Sequence, residues 1–143
     1  MLAVASADDG VAIAKTAGAD EAVNSSTGDL GAAIRKFAPE GLSAVLATVN
    51  GKGLDAAIAA IRQGGRVAYP NGVTPAPQGR PGVEAIAFNG EPDRASFDRL
   101  NRLIGADHFK VQIAQRFTLG EVVAAHAALE RHHVGRVALT VAS

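Results

Sequence analysis

Apolar residues in this chain come in short runs, separated by stretches with helical spacing. Leu2–Ala5 is an apolar run of strand length and predicts a buried strand. Asp8 and Asp9 then precede Val11, Ile13 and Ala14, with Gly18 behind them. Acidic residues at the start and a glycine at the end predict a helix. Glu21–Asn24 predicts a second strand, and Thr27-Gly28-Asp29 opens a helix whose Leu30, Ile34 and Phe37 share one face. Pro39-Glu40-Gly41 stops it. Ala44–Val49 is apolar without alternation, the pattern of a strand buried on both faces. Gly51–Gly53 turns the chain, Leu54, Ile58 and Ile61 mark a helix, Gly64-Gly65 ends it, and Arg66–Tyr69 predicts a strand. A Pro- and Gly-rich loop runs from Asn71 to Gly82. Val83–Phe88 predicts a strand, and Pro92–Ile104 a helix with Phe97, Leu100 and Ile104 on its core side. Lys110–Ile113 predicts a short strand, Leu119–Arg131 a helix and Arg136–Val141 a closing strand.

Strands alternating with helices of this length imply an α/β fold, a parallel sheet with helices on both faces and right-handed crossovers. The 143 residues suit one domain, residues 1–143, and the loop before Gly82 is too short to separate two. Hydrophobic residues make up 48% of the chain and aromatic ones only 4%, so the core is expected to be aliphatic. Lys+Arg and Asp+Glu number 14 each, which argues against a nucleic-acid partner. The absence of cysteine rules out disulfides and thiolate zinc sites. No apolar run reaches the roughly 18 residues of a membrane span, and the first residues lack the layout of a secretion signal. A cytoplasmic protein without a membrane partner is the expectation.

Four segments carry a resemblance when taken in order. They are Leu2-Ala3-Val4-Ala5-Ser6; Ala17-Gly18-Ala19-Asp20 with Ala22-Val23-Asn24; Gly64-Gly65-Arg66-Val67; and Ala124-Ala125-His126, Leu129-Glu130 and Gly135-Arg136-Val137. In order and spacing the chain resembles the cofactor domain of the medium-chain dehydrogenases/reductases. These are the zinc-type alcohol dehydrogenase and quinone oxidoreductase superfamily, and the resemblance is nearest to the zinc-independent quinone reductases. It implies a Rossmann-like sheet and a nicotinamide dinucleotide partner. In this family the end of the second strand chooses between the two cofactors. The acidic position that would select NAD falls on Ala5, with Ser6 beside it, which leans toward NADP. The basic residue of NADP-binding relatives would fall near Gly10, so the phosphate clamp is weak, and Lys15 lies on the same helix. The resemblance further places Thr48, Val49 and Asn50 beside the adenosine half, and Tyr69, Pro70 and Asn71 at the strand end flanking the nicotinamide. Ile86 to Phe88 fall where the carboxamide is held, and Arg136 near the pyrophosphate. No zinc is implied.

The family's glycine fingerprint follows its first strand, which would precede Met1, as would the substrate lobe. The expectation is therefore a Rossmann-like sheet lacking its first strand and glycine-rich loop, with negligible turnover alone. The missing strand is central in the order 3-2-1-4-5-6, so its neighbours would expose unpaired backbone. Four solutions stand open: a second polypeptide, a dimer exchanging elements, direct pairing of the flanking strands, or a longer gene product. The rival functions are a dimerising, non-catalytic interaction module, one subunit of a split oxidoreductase, and a methyltransferase-like domain.

Each candidate residue also has a plainer role. Ser6 suits a helix N-cap, Arg136 an exposed strand entry, and Asn71-Gly72 turn chemistry. Tyr69 suits packing along the crevice more than proton donation. Asp8 and Asp9 suit the helix dipole. His132 and His133 diverge on a helix, and His108 and His126 lack a carboxylate at metal-motif spacing, so no metal site is expected. No nucleophile elbow supports hydrolysis.

Overall fold

The computed structural model describes residues 1–106 and 111–141. It divides into two compact units, Met1–Pro92 and Asp93–Ser143. The fold is α/β with parallel strands, as the alternation predicts.

The first unit holds two separate sheets. Strand β1 (Leu2–Ala5) pairs in parallel with β2 (Glu21–Asn24), joined by helix α1 (Asp8–Thr16). Helix α2 (Leu30–Phe37) leads to β3 (Leu42–Leu46). Helix α3 (Lys52–Ala59) then leads to β4 (Ile61–Pro70), and β5 (Glu84–Phe88) completes a parallel sheet of order β3-β4-β5. Among the described residues β1 pairs only with β2 and β3 only with β4, so the flanking strands do not close on each other. Both strands carry apolar side chains in the open, with Val4 51% and Leu46 66% exposed.

The core of this unit sits under β3 and β4. Ala47, Ile61, Val67 and Val83 are buried together, with Val45, Leu54, Ile58 and Tyr69 packed against them. One face of β3 is thus covered by α3, while Leu46 on the alternate side is exposed. The expectation that residues 44–49 are buried on both faces is corrected for that reason. The same holds for β1, in which no residue is buried.

The helix through Leu54 and Ile58 ends at Ala59, and Ile61 belongs to β4. Its side chain is 1% exposed, because the strand begins three residues before the glycine pair, pairing Leu42 with Ile61. The ladder then shifts register before Ala44 meets Arg66. Gly64, at φ 76°, bends the strand in a conformation that costs glycine little. At Gly65 a Cβ would meet Ser43 O at 2.9 Å and press on the Ile61 side chain. The glycine pair therefore builds a bulge inside a strand rather than a helix stop.

Helix α2 follows its sequence signals closely. Asp29 Oδ1 accepts from Ala32 N at 2.9 Å, and Leu30 and Ile34 are buried, whereas Phe37 stands at 36% exposure. Ser6 does not cap α1. The cap position is Ala7, with no side-chain cap bond, so the plainer reading of Ser6 is corrected.

The second unit contains α4 (Arg94–Gly105), β6 (Ile113–Thr118), a 3₁₀ turn at Leu119–Glu121, α5 (Val122–Leu129) and β7 (Arg136–Thr140). Strands β6 and β7 pair in parallel. The strand expected at Lys110 begins at Ile113; Lys110 and His108 lie outside the described residues. Phe97, Leu100 and Ile104 do share a helix, but they are 55%, 43% and 46% exposed, so their assignment to the core is corrected. Ala125 and Ala128 are the buried residues of α5.

Two carboxylates hold local geometry in this unit. Asp93 Oδ1 accepts from Ser96 N at 2.7 Å and caps α4, which keeps its carboxyl below the ordinary value of 3.8. Glu121 accepts from the Thr118 backbone N–H and hydroxyl, each at 2.8 Å, and its carboxyl is likewise lowered, chiefly by that backbone bond. A carboxyl lowered by folding stabilises the fold fully above its ordinary value, and the benefit disappears as pH falls through the folded value. Helical circular dichroism is expected to decline on acidification below the ordinary carboxylate range, and Asp93→Ala to flatten that acid limb.

Candidate functional site

Parallel strands present all their carboxyl ends on one rim, which gathers residues distant in sequence. In the β3-β4-β5 sheet, Leu46 lies opposite Ala68 and Ala68 opposite Ile86, while Tyr69 meets Ala87 and Pro70 meets Phe88. Thr48, Val49 and Asn50 continue past the end of β3, and Asn71 past the end of β4. Eight of the ten candidate residues, Thr48, Val49, Asn50, Tyr69, Pro70, Asn71, Ile86 and Phe88, therefore belong to one sheet rim or the strand positions leading to it. Thr48, Val49, Asn50, Asn71 and Phe88 are exposed there, while Tyr69, Pro70 and Ile86 are half-buried. Tyr69 packs against the core cluster, in keeping with its plainer role.

The rim is held by backbone bonds and one side chain. Asn71 N donates to Phe88 O at 2.9 Å, tying β4 to β5 beyond the last pair. Val73 N donates to Pro70 O at 3.3 Å, and Gly72 has φ 114°, so Asn71-Gly72 is the turn that its sequence suggested. Asn50 Nδ2 donates to Pro75 O, linking the end of β3 to the loop of residues 71–82.

Ser6 stands at the end of β1, in the other sheet of the same unit. It is exposed, and its carbonyl accepts from Ser26 Oγ at 2.7 Å. Around it lie Asn24 and Ser25. Asn24 Nδ2 donates to Asp8 Oδ1 at 2.7 Å, and Ser25 Oγ donates to Ala5 O at 3.2 Å. Asp8 thus does more than face a helix dipole: it binds the end of the neighbouring strand. Arg136 opens β7 in the second unit, is exposed, and pairs with Ile113.

Sequence reasoning passed over Arg80. Its Nη2 donates to Ile61 O from the far end of the 71–82 loop, and Nε is buried with no acceptor among the described residues. Together with buried Pro77, it anchors the loop against β4. Asn50, Leu54, Ile58, Pro75 and Arg80 line a cleft of about 450 Å³ between α3 and this loop. The available signal was a lone arginine inside a segment otherwise free of charge from Val67 to Val83.

The chain has no cysteine, and among the described residues no three of His, Asp and Glu gather as ligands would. Among those residues, no helix is long and apolar enough to cross a membrane.

The comparisons agree with the architecture. Residues 17–139 match the model of the family described as zinc-binding dehydrogenase. The chain belongs to that family, within the medium-chain dehydrogenase/reductase superfamily, and represents its cofactor-binding part. Among solved structures it is similar to an NAD-dependent alcohol dehydrogenase, with 22% identity over 99% of this chain and 43% of that one, TM-score 0.83. It is also similar to the quinone oxidoreductase from Coxiella burnetii, with 23% identity over 99% of this chain and 44% of that one, TM-score 0.79. A third is a mycobacterial protein complexed with NADPH, with 21% identity over 96% of this chain and 48% of that one, TM-score 0.72. The chain spans less than half the length of each. No curated protein matches it in sequence.

The anchor at Arg80 can be tested directly. Arg80→Ala removes the donor to the Ile61 carbonyl inside the core and is expected to destabilise the first unit by about 1–3 kcal/mol. Urea unfolding followed by circular dichroism measures it.

Proposed function

We propose that this chain is the nicotinamide-binding part of a quinone-, enone- or alcohol-directed oxidoreductase and has negligible turnover alone. The observation that carries the reading is the β3-β4-β5 rim. It collects Thr48, Asn50, Tyr69 and Asn71 at strand ends in a chain of the zinc-binding dehydrogenase family. Open α/β sheets hold ligands at that rim. A nicotinamide dinucleotide supplies the hydride chemistry when bound. The chain's part is to bind and orient it. Thr48, Val49 and Asn50 border the adenosine half, Tyr69, Pro70 and Asn71 flank the nicotinamide, and backbone groups of Ile86–Phe88 hold the carboxamide. Residues 1–143 form a partial Rossmann domain with a family-type C-terminal helix and strand, from a cytoplasmic protein.

NADP is the preferred cofactor on the strength of Ala5, which leaves the acidic position without a carboxylate to repel a phosphate, and of the exposed Ser6 hydroxyl beside it. The second reading is NAD. It is favoured by Asp8 and Asp9, two and three residues beyond Ser6, whose charges oppose a phosphate. Calorimetric titration decides between them. NADPH is expected to bind in the micromolar range, a free energy of about −8 kcal/mol, and at least tenfold (about 1.4 kcal/mol) more tightly than NADH. Ala5→Asp is expected to reverse the order. Tighter NADH binding by the unmodified chain would establish the second reading, and no binding of either at millimolar concentration would leave an interaction module.

The open inner edges of β1 and β3 favour association, because unpaired strand edges recruit other strands. The partner is a second copy of this chain or the lobe that supplies the central strand. Sedimentation of the purified chain is expected to give a mass above that of the monomer. A monomer at tens of micromolar would remove self-association.

A further inference from the structure

Strands β3, β4 and β5 are each followed by the same dipeptide on the same rim: Asn50-Gly51, Asn71-Gly72 and Asn89-Gly90. All six residues are exposed. An asparagine followed by glycine is chemically poised. The glycine nitrogen can attack the asparagine side-chain carbonyl to close a five-membered ring, and no Cβ on the glycine obstructs it.

The three positions are not equivalent. At Asn50 the Gly51 N–H donates to Asn50 Oδ1 at 2.7 Å, so the attacking nitrogen already lies against the carboxamide. Reaction partners held in contact lose little further entropy on reaching the transition state. Gly51 also sits at the N-cap of α3, where the unsatisfied N–H groups and helix dipole stabilise the negative charge that develops on ring closure. Asn71 is placed differently. It is a central residue of the Pro70–Val73 turn, with its own N–H engaged by Phe88.

We infer that Asn50 is a site of spontaneous deamidation, and that its conversion releases the 71–82 loop from the end of β3. The Gly51 nitrogen forms a bond to Asn50 Cγ, the Cγ–Nδ2 bond breaks, and the amide proton leaves with Nδ2 as ammonia. Water then opens the cyclic imide at either carbonyl, giving aspartate or isoaspartate. No oxidation or reduction occurs.

The consequence follows from a single bond. Asn50 Nδ2 is the donor that ties β3 to Pro75 O. A carboxylate in its place brings only acceptors to that carbonyl, so attraction becomes repulsion. The isoaspartate product also lengthens the main chain at the start of α3. The loop that lines the cleft thus loses its tie at one end and keeps the Arg80 anchor at the other.

The folded chain is incubated at mildly alkaline pH and mapped by tryptic mass spectrometry. The fragment Phe37–Lys52 contains Asn50 as its sole asparagine, and fragmentation of the Val67–Arg94 peptide separates Asn71 from Asn89. Conversion at Asn50 is expected to run several-fold faster than at Asn71 or Asn89, and faster than in the same chain unfolded in urea. Asn50→Gln, which must close a larger ring, is expected to abolish it. Asn50→Asp is expected to raise the rate of proteolytic cleavage within residues 71–82 several-fold while leaving far-ultraviolet circular dichroism unchanged. Conversion at Asn71 or Asn89 ahead of Asn50, or equal rates folded and unfolded, overturns the site. Unchanged loop cleavage in Asn50→Asp overturns the release.

Discussion

Strand β4 alone among the described strands has a hydrogen-bonded neighbour on each side, and the first unit is organised by that double pairing. Among the described residues, its Ile61 and Val67 are the largest fully buried side chains. Its pairing with β3 and β5 fixes the register that brings Tyr69 and Pro70 beside Ala87 and Phe88. Because both ladders are parallel, three loops are delivered to one rim. Every candidate feature of that rim, including the Asn50 tie and the Asn71 turn, depends on β4 holding its place.

The bulge at Gly64-Gly65 is how β4 meets two demands at once. Its first residue must fill the core against β3, and its last five must pair in register with β5. A strand without the register shift would move every side chain to the opposite face. The left-handed Gly64 and the crowded Gly65 resolve this locally, where a side chain would collide with Ser43 and Ile61. At the other end, Arg80 and Pro77 pin the long loop against the same strand.

The sheet is discontinuous where a central strand is expected. Strands β1 and β3 each leave an edge open, and Val4 and Leu46 on those strands face solvent. Apolar residues in such a place are poorly satisfied by water. The same feature makes the rim of β3-β4-β5 and the end of β1 two separate clusters, with Ser6 in one and Asn50 in the other. A dinucleotide site of the proposed kind draws on both.

Much was legible in sequence because it depends on neighbours a few residues away. The element order, the Asp29 cap, the buried Leu30–Ile34 pair and the Asn71-Gly72 turn all follow from local spacing and backbone preference. So does the family likeness, which rests on ordered local segments. Burial was less legible, since an apolar run states what a strand tolerates rather than what covers it. Leu46, Phe97 and Leu100 are apolar and exposed, and Ile61 left its helix for a strand. Tertiary structure alone decided the division into three sheets, the Asp8–Asn24 bond, the reach of Arg80 to the Ile61 carbonyl and the tie from Asn50 to Pro75. Those contacts join residues 16 to 25 positions apart, and no local spacing encodes them.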